Sequence, residues 1–155
     1  MSDQKQEFEG FIDFGGDVSD IHELQPLPTG AYDLIIVSAK GVFAGKEDGS
    51  GQYLKKVNIL IDFPDHKDAA SMFHTMTLPQ PAERAENPKR YNFLVSLVKK
   101  FYKQFGLPMP TTGINTTDLI GARATQAFVE LDSYDKGDGT PPRLSNKLNL
   151  NSIKV

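Results

Sequence analysis

Two periodicities run through this chain. Val57, Ile59, Ile61 and Phe63 share one parity while Lys56, Asn58 and Asp62 share the other, a period of two that predicts a strand from Tyr53 to Phe63 with one face in the core. Leu94, Leu97, Val98, Phe101 and Phe105 recur at spacings of three and four, with Lys99, Lys100, Lys103 and Gln104 on the other side, which predicts an amphipathic helix. Asn87 is placed to cap that helix, Pro88 sits at its first position, and Gly106 followed by Pro108 ends it. A glycine-bounded run rich in β-branched residues, Ala31 to Lys40, predicts an earlier strand. Residues 45 to 52, from Gly45 to Gln52, read as a loop. Pro64-Asp65-His66 reads as a turn, Ser71 to Leu78 as a third strand, and Pro79-Gln80-Pro81 as its stop. After a polar linker, Ala122 to Tyr134 predicts a fourth strand and Asp135 to Gly139 a hairpin turn. In the fifth, Leu144, Asn146, Leu148 and Leu150 alternate with Arg143, Ser145, Lys147 and Asn149.

The order is thus three strands, a helix and two strands, so the fold class is mainly β. It is the element order of the OB-fold, a five-stranded barrel with one helix between strands three and four. The glycine-rich loops fall between strands one and two and between strands four and five, where that fold places its ligand groove. Residues 28–155 form this domain. Residues 1–27 form a flexible or loosely docked arm that mixes acids with Phe8, Phe11, Ile12, Phe14, Ile21 and Leu24.

Charge sharpens the division. The net charge is −3, but the arm carries Asp3, Glu7, Glu9, Asp13, Asp17, Asp20 and Glu23 against Lys5 alone, which leaves the remainder mildly basic. The 155 residues suit one domain, and 39% hydrophobic residues suffice for a core without a metal or disulfide staple. No apolar run is long enough to cross a membrane and no secretory signal pattern opens the chain, so the expected location is cytoplasmic, in the host cytoplasm if the protein is viral.

The chemistry that is absent narrows function. There is no cysteine, which excludes disulfides, thiolate zinc sites and cysteine nucleophiles. His22, His66 and His74 are scattered without metal-ligand spacing, and His74 reads as a surface or groove residue between Met72 and Met76. No phosphate-cradling GxxxxGK[ST] and no GxSxG occurs, and Asp62 with Asp65 reads as a solvated turn. The expectation is a protein with no catalytic residues, no metal and no cofactor.

Leu27-Pro28-Thr29-Gly30-Ala31-Tyr32 entering strand one, Gly51-Gln52-Tyr53-Leu54-Lys55 entering strand two, and Phe73 to Leu78 after it resemble small phage proteins of OB-fold type. The segment from Arg90 to Gly106 and Leu119-Ile120-Gly121 ahead of strand four extend the resemblance over residues 27 to 151. These are single-stranded DNA-binding proteins of viral replication and recombination modules. The resemblance implies non-sequence-specific binding of single-stranded DNA in replication, recombination or repair. Bacterial relatives in function carry an acidic tail at the C-terminus; here the acidic segment stands at the other end.

Such binding needs cations that follow phosphates and flat side chains that stack on bases. Lys56 and Asn58 point away from the core parity of strand two, and Tyr53 and Lys55 open that strand. Phe43 and Lys46 lie in the first loop, Tyr134 and Lys136 start the second, and Arg143 and Lys147 share the outward parity of strand five. His74, and Arg84 and Arg90, which precede or begin the helix in a loop location that reaches toward the strand, complete the candidate nucleic-acid contacts. Phe73 reads as core rather than groove, and the helix lysines as a wet helix face. Alternatives stand beside the candidates, with Lys56, Arg143 and Lys147 as solvated strand faces and Tyr53 as a barrel plug. Phe8, Phe11 and Phe14, interleaved with acids, imitate nucleic acid and are candidates for regulation or for docking replication and recombination proteins, with a solubilising tail as the alternative. A protein–protein adaptor or structural subunit built on the same barrel is the competing function, and a homo-oligomer is left open.

Overall fold

The computed structural model describes residues 7–44 and 53–155. Five strands form one antiparallel sheet: β1 (Gly30–Ala44), β2 (Tyr53–Asp62), β3 (Met72–Thr77), β4 (Arg123–Tyr134) and β5 (Arg143–Leu148). Their order across the sheet is β3-β2-β1-β4-β5, so the long β1 is central. A short helix, α1 (Glu83–Glu86), precedes α2 (Pro88–Gln104), and a 3₁₀ turn spans Thr116–Asp118. The sheet bends far enough that its edge strands, β3 and β5, approach with Cα atoms within 8 Å. No ladder joins them among the described residues, so the sheet is not closed into a barrel.

The two periodicities translate directly into burial. Val57, Ile59, Ile61 and Phe63 are buried, as are Leu94, Val98, Phe101 and Phe105 of the α2 stripe. Tyr102 joins them, a position the three-and-four pattern did not single out. The helix begins as its sequence requires: the Asn87 side chain accepts a hydrogen bond from the Arg90 N–H at 3.3 Å. It ends where Gly106 adopts a φ of +62°, a conformation glycine tolerates without a Cβ penalty.

Strand parity fails where the ladders slip. Leu34 and Ile36 of β1 are buried, but the register with β2 shifts between Ile36 and Ser38, and Ala39 becomes the next buried residue. In β4 the slip opposite Tyr32 and Leu34 leaves Gln126 at a φ of 50°, and Ala124 and Ala127 both face the core. The Gln126 N–H and side-chain amide both donate to one Asp33 carboxylate oxygen, at 3.0 and 3.3 Å, which holds that backbone conformation.

Among its described residues, the arm meets the domain at its end. Gln25 bridges Ala69, the Tyr32 hydroxyl donates to the Pro28 carbonyl at 2.6 Å, and Asn146 grips Leu27. That grip is reciprocal: the Leu27 N–H donates to Asn146 Oδ1 at 2.8 Å and Asn146 Nδ2 donates to the Leu27 carbonyl at 2.8 Å. Upstream, Phe8, Phe11, Ile12, Phe14, Ile21 and Leu24 are all exposed.

Candidate nucleic-acid interface

The side of the sheet away from the core is built in rungs, because residues directly opposite in an antiparallel ladder point to the same face. Three rungs cross β3, β2 and β1: Phe73 with Leu60 and Ser38, Thr75 with Asn58 and Lys40, Thr77 with Lys56 and Val42. Lys40 and Asn58 are exposed and Lys56 is half-buried. The Thr75 hydroxyl lies 3.3 Å from Asn58 Oδ1, which ties two of these strands on the outer side.

Phe73 is the decisive residue. It is 74% exposed. The core reading of Phe73 is therefore corrected: Met72 and Met76 take the inner side of β3, where His74 stacks on Phe101 of α2. A large ring stands in solvent one rung from Asn58 and Lys40. A bare sheet face is where a phenylalanine loses most by exposure, since burying such a ring contributes roughly 1.5–3 kcal/mol.

His74 belongs to the opposite side. Its ring stacks on Phe101, with centroids 5.1 Å apart and planes at 14°. Burial holds its pKa down to about 4, so the ring is neutral near pH 7. It is thus removed from the rungs that carry Lys56 and Asn58, because successive strand side chains alternate faces. Arg84 and Arg90 also stand on the helical side. Arg90 Nε donates to Glu83 Oε2 at 2.7 Å, and the Arg84 guanidinium carbon lies 6.0 Å from the Tyr91 ring centre. They do not join the outer rungs.

The first-loop placement of Phe43 is corrected as well. β1 extends to Ala44, so Phe43 is a strand residue opposite Leu54, and it remains largely exposed. Lys46 lies outside the described residues. Tyr53 opens β2 opposite Ala44, and Lys55 follows, exposed, on the parity of Val57 rather than that of Lys56.

The β4–β5 candidates form a separate group, since β1 intervenes between β2 and β4. Tyr134 faces Arg143, and Lys147 faces Glu130. Both cations, Tyr134 and Lys136 are exposed. Glu130, which accepts from Asn149 Nδ2 at 2.7 Å, sets a carboxylate directly across from Lys147, so this wing is not a cationic track. The second loop turns as its sequence requires, with Asp135 accepting from the Gly137 N–H at 2.9 Å and Gly137 and Gly139 at positive φ.

Two depressions flank α2. One, of about 310 Å³, lies between β3 and the start of the helix and is lined by His74, Thr75, Thr77, Arg90, Phe93 and Leu97 among others. The other, of about 530 Å³, lies beside Tyr102, Pro108, Met109 and Asp118. The Tyr102 hydroxyl is buried without a hydrogen-bond partner, and burial with the nearby Asp118 carboxylate pushes its pKa up. Among the described residues no three His, Asp or Glu side chains gather to hold a metal ion, and no helix is long and apolar enough to cross a membrane.

Sequence reasoning missed Lys40, because the slip between Ile36 and Ser38 hides its parity, and it weighed Phe73 toward the core. Comparison with known proteins finds no matching family model, no matching curated protein and no matching solved structure.

Proposed function

We propose that this chain is an OB-fold protein that binds single-stranded DNA without sequence specificity, of the kind that phage replication, recombination and repair modules use. One observation carries the reading: Phe73 stands exposed on the outer side of β3, on the rung next to Thr75, Asn58 and Lys40. The strand order, with a helix between the third and fourth strands and the two sheet edges near one another, supports the barrel assignment. In that fold the faces of strands two and three bind oligonucleotides. A ring offers a stacking platform to any base, and cations beside it meet the phosphates, so recognition needs no base-specific donor or acceptor. Lys40 and Lys56 are the cations on these rungs. Binding is the whole activity; no reaction is required of the site.

The test is fluorescence anisotropy of a labelled oligo-dT, titrated at several salt concentrations and competed with duplex DNA. Preference for the single strand, with a log–log salt slope of about −0.7 per phosphate contacted, supports the reading. Phe73→Ala is expected to weaken binding about 5- to 150-fold, the range for one stacked base, with stability changed by less than about 0.5 kcal/mol. Unchanged affinity in Phe73→Ala, or no binding by the native chain at low salt, defeats it and turns attention to the adaptor reading.

A further inference from the structure

The depression between β3 and α2 adjoins the outer face through a shared residue. Thr75 lines it, and the hydroxyl of the same Thr75 meets Asn58 on the outer rungs. Phe73 is two residues away on the same strand, about 7 Å. Its walls combine two rings, apolar side chains, two hydroxyls and one guanidinium. Phe93, in the second turn of α2, is 61% exposed although it stands beside Leu94 and Leu97. His74, stacked on Phe101, and Leu97 line it as well. The volume of about 310 Å³ is at the lower end of small-ligand sites, which run from about 300 to 1,000 Å³. Arg90 also lines the depression; its Nε is held by Glu83, and a guanidinium has further N–H donors to offer an anion.

Resting on the single-stranded DNA reading, we infer that the strand does not end at the outer face: it passes round the edge of β3 and places one nucleotide in this depression, its base against Phe93 and its phosphate at Arg90. Thr75 marks the path, since it belongs both to the outer rungs and to the wall of the depression. Beyond β3, whose far edge carries no ladder among the described residues, β5 approaches and Leu150 closes the wall. The site adds a second stacking platform, on α2 rather than on the sheet. A base so placed contributes affinity without reading sequence, since the aromatic wall accepts any π-face.

Three measurements on the full chain test this. In the first, ¹⁵N-labelled protein is titrated with dTMP. The amides of Thr75 and Phe93 are expected to shift, to keep shifting in Phe73→Ala, and to stop in Phe93→Ala. In the second, an oligonucleotide carrying 5-iodo-deoxyuridine is photocrosslinked, and adducts are expected on both Phe73 and Phe93. Phe93→Ala is expected to weaken oligo-dT about 5- to 150-fold, and Arg90→Gln to lower the salt slope by about 0.7, one phosphate contact. Crosslinks on Phe73 alone, with native affinity in Phe93→Ala, overturn the inference and leave the outer-face reading intact. Shifts produced by a peptide of residues 7–14 and not by dTMP overturn it too, assigning the depression to the acidic arm. Failure of the native chain to bind any oligonucleotide removes both readings together.

Discussion

Replacing His74 with phenylalanine separates a titration from a packing contact. The ring of His74 lies stacked on Phe101 and burial holds its pKa down to about 4, against an ordinary value of 6.5. The sign follows from which state takes the proton first. The unfolded chain protonates His74 near pH 6.5 while the folded chain does not until about pH 4, so the unfolded state binds more protons in that window and folding loses stability as pH falls through it. The stability is fully present above about pH 6.5. Between pH 7 and pH 4.5 the linkage amounts to about 2 kcal/mol, a sizeable share of the roughly 5–15 kcal/mol that holds a domain folded. His74→Phe keeps an aromatic ring against Phe101 and removes the proton. Urea unfolding of both proteins at pH 7 and pH 4.5 gives the difference directly, and carboxylates that titrate in both cancel. The expected result is a native protein that loses about 2 kcal/mol more than the variant over that interval. Parallel losses in the two proteins refute the reasoning, as does a His74 titration midpoint near 6.5 by NMR.

Other substitutions probe the frame around the site. Asn146 is the buried polar side chain that holds Leu27, so Asn146→Leu removes two hydrogen bonds to Leu27 and strands its N–H and C=O. A loss of about 1–3 kcal/mol in denaturant unfolding is expected, together with faster hydrogen exchange at Leu27. Phe101 is fully buried, against both His74 and Phe105, and Phe101→Ala is expected to cost about 3–5 kcal/mol by thermal or chemical unfolding. Asn87→Ala removes the acceptor for the Arg90 N–H at the start of α2, and about 1 kcal/mol is expected in the same assay.

The strands and the long helix are legible in the sequence because periodicity is local physics. A period of two on β2 and a period near 3.6 on α2 each admit one way to bury an apolar side. The ends of α2 were legible for the same reason, since an Asn cap, a first-turn proline and a terminal glycine act within one turn. The hairpin turn between β4 and β5 is equally local.

The site was legible only in part. The outward parity of Lys56 and Asn58 was legible because the apolar partners on β2 are unambiguous. β3 offered no such guide. Met72, His74 and Met76 alternate with Phe73, Thr75 and Thr77, and each set holds groups that either side of a sheet accepts. Only the docking of α2 on one side decided that the histidine goes inward against Phe101 and the phenylalanine outward. Lys40 and Phe43 depended on the ladder itself, since the slip between Ile36 and Ser38 and the length of β1 arise from pairing with β2. The chain alone determined where the five strands and the long helix lie, because that follows from neighbours two to four residues away; how far β1 runs did not follow from them. Which side of β3 meets solvent, and which cations share its rungs, was decided by contacts between segments far apart in the chain, and no single-strand pattern contains them.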